Sequence, residues 1–355
     1  MQVSFKSDCP CDDTDLCRPL RRENQAEIEV FAFHLDHSDW KHYDWSKITT
    51  FVVTEDFEME AICTAHANNI RIVMKVSLAT SDMEDRATRR DWIEFIADFI
   101  KYVYMDGIYL EHLEIFEKGS HLYHKLTEFV KEIASYFHQK LPGTQISFHV
   151  PWSPHCQNEL CYDFLAISKA CDILFVASYD VPNDLRDGCV ARSSAPYHQV
   201  LSGMSDYIKL GIDSRKLVMG VAWYGYDYTC KHFLGVGECE LETISQGVPC
   251  SYTEARRIPY KDIMQRLSRS LTGRFWDDDR KVPYFVYLVG NTYHEVWYDD
   301  PESISMKVSI MMKLNLRGIG VWAANNINYT GDVRARMQAA EMWNAVCRPW
   351  WNYRE

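Results

Sequence analysis

The chain has 355 residues, 47% of them apolar and 25% charged, with 50 acidic against 38 basic side chains and a net charge of −12. That balance argues against a nucleic-acid partner, which calls for clustered lysines and arginines over the phosphates. No run of about 18 apolar residues offers a membrane span.

Apolar, β-branched runs predict eight strands, at 29–35, 49–54, 71–76, 107–113, 145–150, 173–178, 217–222 and 318–322. Amphipathic stretches lie between them. Residues 91–104 carry Trp92, Phe95, Ile96, Phe99 and Ile100 at helical spacing. Residues 122–141 do likewise with Leu126, Phe129, Val130, Ile133 and Phe137, and stop before Pro142-Gly143. Strand alternating with helix predicts a parallel sheet, and eight such units predict an α/β fold, a closed (β/α)8 barrel formed by residues 1–355 as a single domain. About 95 residues separate the last two strands, far more than one crossover helix requires. Within them, short strand-like runs at 258–260, 284–288 and 295–298 predict a small α+β insertion over residues 223–300, on the side of the barrel where ligands bind.

Twelve cysteines fit disulfides in an oxidising compartment better than a metal site. Cys156 with Cys161 and Cys230 with Cys239 lie at short separations, whereas Cys63 and Cys171 sit in apolar runs and read as buried free thiols. The sequon Asn328-Tyr329-Thr330 agrees with a secretory route, lysosomal or extracellular. Residues 1–7 have no apolar core, so a signal peptide is absent from this chain. Eleven tryptophans among 14% aromatics suit a sugar ligand, whose flat apolar faces stack on indoles.

The segment Tyr104-Met105-Asp106-Gly107-Ile108-Tyr109-Leu110-Glu111-His112-Leu113-Glu114 carries the chemistry. It resembles the signature D-G-x-D-x-D-x-E of glycoside hydrolase family 18, the chitinase family. Asp106 and Gly107 match the first two positions, while Tyr109, Glu111 and Leu113 fall where the family has Asp, Asp and the proton-donating Glu. Further stretches, among them Cys9-Pro10-Cys11, the segment from Leu217 to Cys230, and Val296-Trp297-Tyr298-Asp299-Asp300-Pro301, resemble the lysosomal branch of that family that trims the chitobiose core of asparagine-linked glycans.

The resemblance implies substrate-assisted chemistry. The sugar's own acetamide oxygen attacks C1, a raised-pKa Glu protonates the leaving oxygen, a Tyr after the sixth strand binds the acetamide, and a Trp on the eighth floors the site. Tyr179 and Trp322 stand at those last two positions, and Asp180 beside Tyr179 is placed to bind a sugar hydroxyl. Trp152 and Trp223 lie at carboxyl ends of strands and join the candidates for sugar contact, with Asp106 and Tyr109.

Strand alternation puts Gly107, Tyr109, Glu111 and Leu113 on one inward face. A one-residue bulge at His112 would instead turn Glu114 inward. Two functions follow. One is a binder of β-1,4-linked N-acetylglucosamine oligosaccharides that has lost hydrolysis because Leu113 has no proton to give. The other is a glycosidase using Glu111 or Glu114 as its acid; a third outcome is that Tyr109 and Leu113 fill the pocket and sugar binding is lost. Neither assigns a cofactor or a metal. The pair His121 and His124 lacks a third ligand nearby, and His34 and His149 read as hydrogen-bonded core histidines. The expected partner is the oligosaccharide alone, with the chain a monomer.

Overall fold

Eight parallel strands close into a barrel, and the chain is an α/β protein of the (β/α)8 type. The structure, a computed structural model, describes residues 9–20, 27–35, 40–156, 160–182, 188–242 and 255–351. The first seven barrel strands are β1 (Glu29–His34), β2 (Thr50–Val53), β3 (Arg71–Ser77), β4 (Gly107–Glu111), β5 (Gln145–Val150), β6 (Ile173–Val176) and β7 (Leu217–Ala222). After an excursion the chain closes the ring with β15 (Gly318–Trp322), which pairs with both β7 and β1. Nearly every barrel-strand residue is buried, because helices cover the outside and side chains fill the inside. This two-sided burial is why the strands read as unbroken apolar runs.

Helices α1 (Glu60–Ala67), α2 (Arg86–Tyr102), α3 (His121–Lys140), α4 (Phe164–Ala170) and α5 (Tyr197–Lys209) connect strands β2 through β7. Helix α2 starts five residues before the predicted 91, since Asp85 caps it by accepting from the Ala87 and Thr88 amides at 2.8 and 3.0 Å. Its buried face is Ile93, Ile96, Ala97 and Ile100, and the predicted face residue Phe95 is exposed. The first turn is polar, so apolar spacing alone could not show it.

Between β7 and β15 the chain builds β8 (Tyr224–Thr229), the short β9 (His232–Phe233) and β10 (Cys239–Glu240), β11 (Ala255–Pro259), helix α6 (Tyr260–Leu267), β12 (Phe275–Asp277), β13 (Val282–Val289) and β14 (Thr292–Tyr298). Five of these strands form an antiparallel sheet in the order β11-β8-β14-β13-β12. Helices α7 (Pro301–Lys313) and α8 (Val333–Trp351) flank β15 in sequence. Beneath the mouth, Phe31, Phe33, Tyr109 and Phe175 form an aromatic plug, with the Phe33–Phe175 and Phe33–Tyr109 centroids 4.8 and 4.9 Å apart. Gly220 and Gly320 make room for it, because a Cβ on either would come within 2.8 Å of the Phe175 ring.

Four disulfides are described: Cys9–Cys17, Cys11–Cys63, Cys156–Cys161 and Cys230–Cys239. Cys63 is therefore not the free thiol its apolar surroundings suggested. Its place on α1 brings it to Cys11 of the amino-terminal segment, a long-range contact. Cys171 is free and buried, as is Cys347.

Candidate functional site

The carboxyl ends of the strands open into a cleft of about 480 Å³. Strand β4 and the loop after it supply Glu111, Leu113 and Ile115 on one side. Trp152 follows β5, Tyr179 and Asp180 follow β6, and Trp322 ends β15. Arg257 reaches in from β11 of the antiparallel sheet.

The β4 face is fixed by its neighbours. Gly107 faces Gln145 so closely that a Cβ would lie 2.1 Å from the Gln145 carbonyl oxygen, so the second residue of the motif has to be glycine. At the far end, the Leu78 amide donates to the Glu111 carbonyl at 2.7 Å, and His112 turns outward to hydrogen-bond the Leu78 carbonyl at 2.8 Å. Tyr162 donates to the His112 carbonyl, and Phe116 lies against the imidazole at 4.6 Å. With His112 held out, Glu111, Leu113 and Ile115 share the cleft side. The uninterrupted register is the one adopted.

Several candidates lie elsewhere. Asp106 precedes β4, at the amino end of the barrel, opposite the mouth. It accepts from the Leu20 and Ile72 amides at 2.6 and 2.8 Å and meets His66 Nε2 at 3.0 Å. Its work is to pin the amino-terminal segment under the barrel. Tyr109 does point inward, but two residues too deep. It is fully buried in the aromatic plug, with its hydroxyl 2.7 Å from His149 Nδ1, and burial pushes its pKa well up. Trp223 turns away from the cleft and packs edge-on against Trp343 of α8 at 4.8 Å. Glu114 leans toward the loop after β3, where the Thr80 hydroxyl donates to it at 2.6 Å. That hydrogen bond holds the exposed Glu114 carboxyl below its ordinary range.

The remaining candidates converge. Glu111 is buried at the base of the cleft and forms an ion pair with Lys75 of β3. Leu113 stands at the rim with 61% of its surface exposed. Tyr179 packs 6.5 Å from Trp322 and 6.0 Å from Tyr224, and burial drives its pKa well up, so its hydroxyl stays a donor. Trp322 rests on Phe33 at 4.8 Å, which sets the indole as a floor above the plug. Asp180, in the left-handed region at φ 55°, accepts from the Tyr224 and Tyr226 hydroxyls, both at 2.7 Å, and from Arg257 at 2.6 Å. The Arg257 guanidinium also lies 4.5 Å over the Tyr224 ring. Asp180 thus ties the antiparallel sheet to the barrel mouth.

Sequence reasoning missed Lys75, Ile115 and Arg257. Arg257 belongs to the insertion, and only the fold brings it 77 residues back to Asp180. Ile115 continues the alternation of Glu111 and Leu113 past the end of the strand, and that period could have found it. His149 has the core hydrogen bond expected of it, yet one edge lines the cleft, and burial pushes its pKa down to about 4. It is therefore neutral near pH 5. His34 is buried, 2.8 Å from the Tyr43 hydroxyl.

The chain resembles known proteins over nearly its whole length. Residues 21–326 match the family described as Glycosyl hydrolases family 18. The chain is 40% identical to the di-N-acetylchitobiase of Homo sapiens over 98% of its own length and 90% of that protein. It is 32% identical to the probable di-N-acetylchitobiase 1 of Dictyostelium discoideum, over 97% of this chain and 94% of that one. Among solved structures, human YKL-39 superposes with a TM-score of 0.72 at 16% identity, covering 90% of this chain and 99% of its own. That protein is described as a pseudo-chitinase with retained chitooligosaccharide binding.

Proposed function

The chain belongs to glycosyl hydrolase family 18 and is di-N-acetylchitobiase-like, and from that premise we propose that it binds β-1,4-linked N-acetylglucosamine oligosaccharides without hydrolysing them. The observation that carries this reading is the placement of three side chains, two in the motif and one just after it. Leu113 occupies the acid's position and has no proton. Glu111, one turn of the alternation deeper, is paired with the Lys75 ammonium and acts as an acceptor. Glu114 lies off the cleft, and Thr80 holds its carboxyl down, whereas a general acid of this chemistry needs its carboxyl held up.

The sugar-holding parts are in place. Trp322 offers the floor, Tyr179 an acetamide donor, and Trp152 a partly exposed second indole. The affinity of such a site comes from stacking and a few hydrogen bonds, and none of these requires the acid. YKL-39 is a precedent for sugar binding retained on this fold without hydrolysis. The disulfides support residence in an oxidising compartment, and we infer a secretory destination, lysosomal or extracellular.

The second reading, a chitobiose-cleaving exo-glycosidase, has one observation in its favour. Glu111 does line the cleft. It would act only with Lys75 displaced, and it is set deeper than the acid's position. Calorimetric titration with chitotriose, followed by recovery of the sugar, separates the two. Saturable binding with intact trisaccharide is expected. Recovery of N-acetylglucosamine or chitobiose would favour the hydrolase, and absence of binding would refute the sugar reading.

A further inference from the structure

The cleft has two chemically distinct halves. The half that includes Trp322, Tyr179, Asp180 and Arg257 is aromatic and polar. On the β4 side, above Glu111 and near Trp152, the lining turns aliphatic toward the rim. Leu113 and Ile115 both line the cleft there, with 61% and 64% of their surfaces exposed, and Leu160 belongs to the same lining. Exposed aliphatic side chains that share the lining of a ligand cleft are apolar surface that a bound ligand can cover. A next sugar ring would call for hydrogen-bond donors and acceptors there, and Leu113, Ile115 and Leu160 offer none.

The location says which part of a ligand meets this aliphatic lining. In this chemistry the acid faces the oxygen that joins the sugar to its leaving group. The side chain at that position, and those beyond it, therefore face the aglycone. Replacing a carboxylic acid by Leu113, with Ile115 in the same lining, exchanges a proton donor for a hydrocarbon contact at that junction.

Resting on the sugar-binding reading, we propose that the preferred ligand is an amphiphilic N-acetylglucosaminide. Its sugar occupies the Trp322–Tyr179 half, and a hydrocarbon aglycone at its reducing end lies along Leu113, Ile115 and Leu160. Hydrocarbon burial strengthens binding about fourfold for each methylene covered. A chain of eight carbons that lays four methylenes on that lining gains about 10²-fold.

The test is calorimetric titration of the intact protein with chitobiose, octyl β-chitobioside and, as an apolar control below its micellar concentration, octyl β-glucoside. The proposal expects the octyl chitobioside to bind at least tenfold tighter than chitobiose. It also expects that preference to shrink toward unity in the double variant Leu113→Ser with Ile115→Ser. Equal affinities for the two chitobiosides would overturn the aglycone site and leave the sugar reading standing. A preference that survives the double substitution would overturn its placement on Leu113 and Ile115. Octyl glucoside binding as tightly as octyl chitobioside would overturn the coupling of aliphatic lining and sugar site. Absence of binding by both chitobiosides would refute the sugar reading and this proposal with it.

Discussion

Raising the pH from 4.5 to 8 should weaken the antiparallel sheet through a single carboxyl. Glu295 on β14 is fully buried, and burial pushes its pKa up from 4.5 to about 7 against the pull of three neighbours. Those are the Trp297 indole N–H, which donates at 2.7 Å, the Gly237 amide, which donates at 2.8 Å, and the charge of Arg192. A folded-state pKa above the unfolded value favours the folded protein while the carboxyl is protonated. The contribution is complete below about pH 4.5 and is lost as the pH rises through 7. At about 1.4 kcal/mol per unit, the loss is on the order of 3 kcal/mol. Glu295→Gln should remove the slope. The amide NH2 cannot accept from one of the two donors, so the variant should be about 1 kcal/mol less stable than wild type at pH 4.5. At pH 8 the order should reverse, with the variant about 2 kcal/mol more stable. Urea unfolding of both proteins at pH 4.5, 6 and 8 measures this. Other carboxyls, such as Asp44 and Asp206, are held low and act in the opposite sense, but they are common to both proteins and cancel in the difference. Parallel stability curves for wild type and variant would show that Glu295 does not set the slope.

Three further outcomes follow from named contacts. Lys307 and Asp299 form an almost fully buried pair, 2.6 Å apart at the closer-to-ordinary of two contacts, so Lys307→Ala should cost about 3–5 kcal/mol by stranding the carboxylate, readable as a fall in thermal midpoint. Trp322→Ala should weaken chitotriose binding about tenfold through lost stacking, and Tyr179→Phe about fivefold through one lost hydrogen bond, both by titration calorimetry. Asn328, beside a second groove of about 310 Å³ between α6 and α8, should carry an N-linked glycan when the chain is secreted. Peptide N-glycosidase should then shift the wild type on a gel and leave Thr330→Ala, which keeps Asn328 itself, unshifted.

How much of this was legible in the sequence depends on the range of the cause. The barrel was legible because strands buried on both faces are apolar throughout, and because each helix buries a stripe of its own. The inward face of β4 was legible from a period of two. Depth along that face was not. Tyr109 and Leu113 share it, yet one lies in the plug and the other at the rim, and the difference follows from how Phe33 and Phe175 fill the barrel. Trp223 stands just past β7, and only the packing of α8 decides that it faces Trp343 instead of the cleft. Asp106 matched a motif whose spacing is local, while its partners Leu20, His66 and Ile72 are distant in sequence. Arg257 could be assigned to the mouth only once β11 was paired with β8.

We propose that the cleft lacks a general acid and is otherwise fit to hold the sugar. Release of N-acetylglucosamine from chitobiose at pH 5, measured for wild type beside Leu113→Glu, tests it most directly. The variant should exceed wild type by at least about 10²-fold, the usual worth of a general acid. A wild-type rate equal to that of the variant would contradict it, since some other group would then be supplying the proton.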